Sequence, residues 1–164
     1  MTSICIVMAT FNGATFVEEQ IRSIQAQSVD EWRLIIRDDG SSDGTLEIIA
    51  ELASLDSRIT LLELGGRSGL GPSLNFSAAL EEALLTDSDI FFLADQDDIW
   101  DVQKLSLQAA HFYQMGKEPA PLLVHSDLAI VDEGLNLIDA SMVKYMGLLT
   151  NPELPLNHLL TRNF

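Results

Sequence analysis

Short apolar runs alternate with segments whose apolar residues recur at helical spacing, and this alternation limits the folds open to the chain more than any other feature. It is the pattern of βα units wound around a mostly parallel sheet, an α/β architecture. Strands are expected at Ser3 to Met8, Leu34 to Arg37, Ile59 to Leu64, Ile90 to Leu93 and Leu122 to His125. The Ile90-Phe91-Phe92-Leu93 run is apolar throughout, which suits a central strand covered on both faces. Four helices are expected between them. The first runs from about Thr15 to Gln27, with a Thr15/Glu18 capping box and a buried stripe of Val17, Ile21 and Ile24. The second follows Asp43, a favoured N-cap, and turns Leu46, Ile49 and Leu52 or Ala53 inward. The third opens at Pro72 and reaches about Leu85, and the fourth spans Val102 to Met115, stopped by Gly116. After Pro119 the pattern weakens into short strands near Leu128 to Val131 and Leu135 to Ile138, then apolar stretches at Val143 to Leu149 and Leu156 to Leu160.

Length and balance bound the function classes. The 164 residues, 47% hydrophobic and 21% charged, suit one compact domain, residues 1–164, with a core large enough to need no staples. Cys5 alone cannot form an internal disulfide and reads as a small buried hydrophobe. Nine Lys and Arg against 25 Asp and Glu give a net charge of −16, which disfavours nucleic acid and anionic membrane surfaces as partners. No apolar run approaches the roughly 18 residues of a transmembrane segment, and the start of the chain reads as a strand and not a signal peptide. A cytoplasmic location is expected, with any place at the inner face of the membrane held through other partners.

In an open α/β sheet, ligands bind outside the carboxyl ends of the strands. Three polar loops follow strands here: Ala9-Thr10-Phe11-Asn12-Gly13, Asp38-Asp39-Gly40-Ser41-Ser42-Asp43-Gly44 and Asp95-Gln96-Asp97-Asp98. The second suits a turn that caps a helix, the role expected of Gly40, Asp43 and Gly44. Two adjacent carboxylates exceed what a cap requires, and either can accept the imide N–H of uracil or thymine, so turn and ligand readings both stay open. The third can be a solvated acidic loop that starts the helix near Asp101, where negative charge suits the helix dipole; against that, closely packed carboxylates repel one another unless a cation sits among them, and hard oxygen ligands suit Mg²⁺ or Mn²⁺. That cation would also bridge a nucleotide diphosphate to an acidic protein and stabilise a departing diphosphate.

Other chemistries lack their residues. Gly69-Leu70-Gly71 imitates a dinucleotide fingerprint, but Leu74 stands at the third glycine position, and neither a P-loop nor a G-x-S-x-G is present. His125, Ser126 and Asp127 are sequence neighbours whose side chains diverge on a strand, and His111 and His158 read as structural. An aspartyl phosphotransferase would need Thr where Ile99 stands.

Together, the Ala9 to Gly13 string, Arg37 to Thr45 and Asp95-Gln96-Asp97-Asp98-Ile99-Trp100 resemble the family 2 glycosyltransferases in order and spacing over most of residues 2–140. The resemblance implies a GT-A fold, a Rossmann-like three-layer sandwich, with a nucleotide-sugar donor of UDP or dTDP type, a saccharide acceptor and Mg²⁺ or Mn²⁺. It places Ala9, Thr10 and Phe11 in the base pocket, Asp38 and Asp39 on the nucleotide with Asp39 at the pyrimidine, and Gln96 beside them. It makes Asp97 the direct metal ligand, with Asp95 a second ligand nearer the ribose. Gly71-Pro72-Ser73-Leu74-Asn75-Phe76 and the stretch from His125 to Glu133 are similar to bacterial rhamnosyltransferase-like members, implying a dTDP-sugar donor and a surface polysaccharide or lipid-linked acceptor. One departure is Gly69, where many relatives carry Asn. The general base of an inverting transfer lies beyond Phe164 by this resemblance, which makes the chain the donor-binding half, a fragment or shortened homologue. The rival reading is a donor-binding module without turnover.

Overall fold

The computed structural model describes residues 3–63, 68–115 and 122–147. Its contacts group the chain into two compact units, residues 1–120 and 121–164, dividing close to Pro119 where the strand–helix alternation gives out; each is described by itself.

The first unit runs β1 (Ile4–Thr10), α1 (Val17–Gln25), β2 (Trp32–Asp38), α2 (Thr45–Leu55), β3 (Ile59–Leu61), α3 (Pro72–Ala83), β4 (Ile90–Ala94) and α4 (Lys104–Met115). The four strands are all parallel in the order β3-β2-β1-β4, with Ile4 opposite both Trp32 and Ile90. Side chains alternate across the pleat and so sort into two cores. Ile4, Ile6 and Met8 with Leu34, Ile36 and Phe92 face α1, α2 and α4, where Ile21, Ile24, Ile49 and Leu105 meet them. Cys5, Val7 and Ile35 face α3, against Ala79 and Ala83. The result is the three-layer α/β sandwich that the alternation predicts.

Three local expectations change. Thr15 does not cap α1, whose N-cap is Phe16 with no side-chain bond; Glu18 pairs with Arg22 at 2.7 Å along the helix instead. Gly44, in a left-handed conformation with φ 95°, is the N-cap of α2. Asp43 works one residue earlier, taking hydrogen bonds from the Thr45 hydroxyl at 2.5 Å and the Ala14 amide at 3.1 Å. Among the described residues β4 is an edge strand, not a central one, and Leu93 is 59% exposed. An apolar run reports burial on average, not the order in which strands pair.

The second unit holds the antiparallel pair β5 (Ile130–Val131) and β6 (Leu137–Asp139) and the short α5 (Met142–Tyr145). The strand expected at Leu122 to His125 is absent; residues 122–125 carry no regular structure. The apolar stretch at Leu156 to Leu160 lies outside the described residues, as does His158.

Candidate functional site

Strand order places the site before any side chain is considered. The chain steps outward from β1 through β2 to β3, then returns to lay β4 on the other side of β1. The loops after β1 and β4 therefore part at a topological switch point, which is where open α/β sheets hold ligands. A cavity of about 490 Å³ opens there, lined by Ala9, Thr10, Phe11, Asp39, Gly69, Gly71, Pro72, Asn75, Phe76, Asp95, Gln96 and Asp97. That volume suits a small ligand. A second cavity of about 720 Å³ lies toward the amino ends of the strands, around Trp32, Arg33 and Arg58, and none of the three polar loops lines it. Volume alone does not locate chemistry, and the strand ends favour the first.

The structure brings together seven of the eight residues expected at the site, and Asp38 is the one that does not line the cavity. Asp38 is buried, and its carboxylate accepts from the Thr10 hydroxyl at 2.8 Å, the Ser41 hydroxyl at 2.5 Å and the amides of Gly40 at 2.9 Å and Ser41 at 2.7 Å. Four donors on one carboxylate make it the centre of the turn. Asp39 is also buried but borders the cavity. It accepts from the Leu70 amide at 2.9 Å and the Gly71 amide at 2.8 Å, and the Arg37 guanidinium approaches at 3.4 Å. Burial opposes its charge, but those donors outweigh it and hold the carboxyl below the ordinary Asp range. Asp39 is thus an ionised acceptor fixed at the cavity wall.

Asp95 and Asp97 stand at the other end under opposite conditions. Among the described residues neither accepts a hydrogen bond. Asp95 is pushed above the usual range by desolvation first and then by the charges of Asp98 and Asp97. Asp98 is shifted the same way by burial and Asp97, with Lys104 opposing. No group of three or more Asp, Glu, His or Cys converges among the described residues. Two carboxylates on a cavity wall nonetheless fit Mg²⁺ or Mn²⁺, which typically take one or two protein carboxylates and complete the shell with substrate phosphate and water.

Sequence reasoning missed the buried Arg37–Asn75 pair behind this wall. Asn75, on α3, accepts from Arg37 Nη1 at 2.5 Å and donates from Nδ2 to the carbonyls of Thr10 and Arg37, both at 3.2 Å. A polar residue in the first turn of the helix that Pro72 opens was the available signal. Gly69 and Gly71 line the cavity at φ 71° and 78°, conformations that L side chains rarely adopt.

The family model for Glycosyl transferase family 2 matches residues 5–118, which contain every residue of this cavity, and the chain belongs to that family. Among curated relatives it is 37% identical over 99 residues to the dTDP-rhamnosyl transferase RfbG of Shigella flexneri, covering 60% of this chain and 34% of that protein. Among solved structures it resembles S. aureus TarS 1-349 in complex with UDP-GlcNAc at a TM-score of 0.60 and 19% identity, covering 88% of this chain and 43% of that one. A mannosyltransferase of Pyrobaculum calidifontis, in complex with GDP-Man and Mn²⁺, matches at 0.57 and 21%, over 71% of this chain and 32% of that one. These likenesses show the GT-A fold. The chain spans less than half the length of each of the three.

Proposed function

We propose that this chain forms the nucleotide-sugar donor site of a metal-dependent, inverting glycosyltransferase that moves a sugar from a UDP or dTDP donor to a surface polysaccharide or lipid-linked acceptor. The observation that carries the reading is the polarity of the cavity, with a hydrogen-bonded, ionised Asp39 at one end and the unpartnered carboxylates of Asp95 and Asp97 at the other. Asp39 accepts the imide N–H of a pyrimidine, while Ala9, Thr10 and Phe11 wall the base. Asp95 lies toward the ribose, and Asp97 is the principal ligand of Mg²⁺ or Mn²⁺. When bound, that cation offsets the charge of a diphosphate leaving group. The dTDP-rhamnosyl relative and the UDP-GlcNAc and Mn²⁺ complexes of structural neighbours support donor and metal. The work is assigned to the cytoplasmic side, at the membrane's inner face through other partners; among the described residues no helix is long and apolar enough to cross a membrane.

The alternative of a donor-binding module without turnover has its own observation. Asp127 and Asp132 are the carboxylates of the later third of the chain weighed as the acceptor-side base. The carboxylate of Asp127 is taken by the Ser141 hydroxyl and the amides of Leu128 and Val143, that of Asp132 by Gly134 and Asn136. Both carboxyls are held below the ordinary range, chiefly by Ser141 and by the Asn136 amide, which weakens them as bases. Calorimetry with UDP and dTDP, with Mn²⁺ and with a chelator, tests the donor site; equal affinities under both conditions would remove the metal. Transfer from dTDP-rhamnose, UDP-glucose or UDP-galactose, run in parallel, separates enzyme from module.

A further inference from the structure

We propose that Gln96, between Asp95 and Asp97 of the acidic loop, is a positioning residue that fixes Phe11 as a stacking platform for the ring of the ligand. The inference rests on the donor-site reading and deepens it. Phe11 donates its backbone N–H to Gln96 Oε1 at 2.9 Å, and Gln96 Nε2 donates back to the Phe11 carbonyl at 3.1 Å. A carboxamide that both accepts from and donates to one residue's main chain imitates the backbone of a neighbouring strand. It does so just past the point where the β1–β4 ladder stops, at Met8 opposite Ala94. The side chain of Gln96 thus joins the two loops that part at the switch point.

Gly13 supplies independent support. Its backbone does not need a glycine, since its φ lies outside the positive range, yet a Cβ there would collide with the Gln96 carboxamide. The only residue that leaves Gln96 its seat is one without a side chain. Phe11, held at both main-chain polar atoms, remains 53% exposed as a residue beside the cavity it lines. A large aromatic left in water on a fixed backbone is poorly explained by packing and well explained by stacking, which is sequence-tolerant because every base offers a π-face. The clip also links the base end of the cavity to the acidic end, because Gln96 is covalently flanked by Asp95 and Asp97.

The test compares Gln96→Ala, Gly13→Ala, Phe11→Ala and the two double variants with Phe11→Ala. Gly13→Ala keeps the carboxamide and displaces it, so a shared phenotype with Gln96→Ala does not come from the loss of a group. Without ligand, amide hydrogen exchange at Phe11 should accelerate in both. With Mg²⁺ present, calorimetry should show UDP binding roughly tenfold weaker in each single variant, within the roughly 5- to 150-fold range of a lost stack. Each double variant should bind no more weakly than Phe11→Ala alone, and inorganic pyrophosphate should bind all of them as it binds the wild type. Additive losses in the doubles would make Gln96 a direct ligand contact and overturn the proposal, as would unchanged Phe11 exchange or an equal loss of pyrophosphate affinity. If the wild type binds neither UDP nor dTDP, the donor-site reading falls and the platform with it, while the clip itself stands or falls on Phe11 exchange.

Discussion

Asn75→Ala is expected to destabilise the first unit more than its size suggests. The side chain is buried on α3 and makes three hydrogen bonds, one from the Arg37 guanidinium and one to each of the Thr10 and Arg37 carbonyls. The charge-assisted bond is the costly one to lose, at about 1.5–3 kcal/mol. The Thr10 carbonyl keeps a second donor, the Asp39 amide at 2.9 Å, so its share is at the low end, about 0.5 kcal/mol. The Arg37 carbonyl adds a similar amount, and the sum is about 3 kcal/mol. For a chain of this length each kcal/mol moves Tm by roughly 2–4 °C, which predicts a fall of about 6–12 °C. Urea titration followed by Trp32 and Trp100 fluorescence reads the same quantity as a midpoint shift of about 1–2 M at an m-value near 2 kcal/mol/M. A loss below 1 kcal/mol would refute the argument that this pair holds the Asp39 wall.

Three further outcomes are expected. Asp56, held far below its usual range first by hydrogen bonding from Arg58, contributes stability that is present above its unfolded pKa of about 3.9 and lost as pH falls through the lower folded value; urea midpoints between pH 6 and pH 3 should therefore fall less steeply in Asp56→Asn. Asp39→Ala should weaken UDP and dTDP roughly tenfold or more by calorimetry, and equal wild-type affinities for UDP and ADP would contradict its assignment to the pyrimidine. Cys5, fully buried in β1 with its thiol pushed up to about 11 by burial, should react with a disulfide reagent only on unfolding, so the labelling rate in low urea should track the unfolding equilibrium.

Periodicity made the layers legible. The alternation in Ile4-Cys5-Ile6-Val7-Met8 sends Ile4, Ile6 and Met8 to one core and Cys5 and Val7 to the other, and Val17, Ile21 and Ile24 fall on the buried stripe of α1 as their spacing requires. Pro72 opens α3 because a helix's first turn leaves its amides unpaired in any case. Caps were less legible. A Thr-x-x-Glu string records residue types, whereas Glu18 had a competing partner one turn on in Arg22. The place of β4 was not legible either, since hydropathy does not encode which strand pairs with which. Arg37 and Asn75 are 38 positions apart, and their bond exists only because α3 packs back across β1 and β2.

The aspartates show what residue type leaves open and surroundings decide. Asp38 and Asp39 are chemically identical neighbours on one strand end, equally able on paper to receive a pyrimidine. The pleat turns successive side chains apart, so one meets the Ser41 turn and Thr10 and the other meets the amides of Leu70 and Gly71 at the cavity. Asp38 is filled by four donors and has turned into structure. Asp39 takes two amides and a guanidinium at longer range, which fixes its direction and leaves about one lone-pair site of the four toward the cavity. Asp95 and Asp97 take no donors among the described residues, and charge left uncompensated at a cavity wall attracts a cation. The same functional group is thus enclosed in a turn, held at the wall or left open according to how many N–H and O–H groups the fold aims at it: Asp38 takes three of its four donors from nearby Gly40 and Ser41, whereas both amides on Asp39 come from a loop 31 and 32 positions away in sequence.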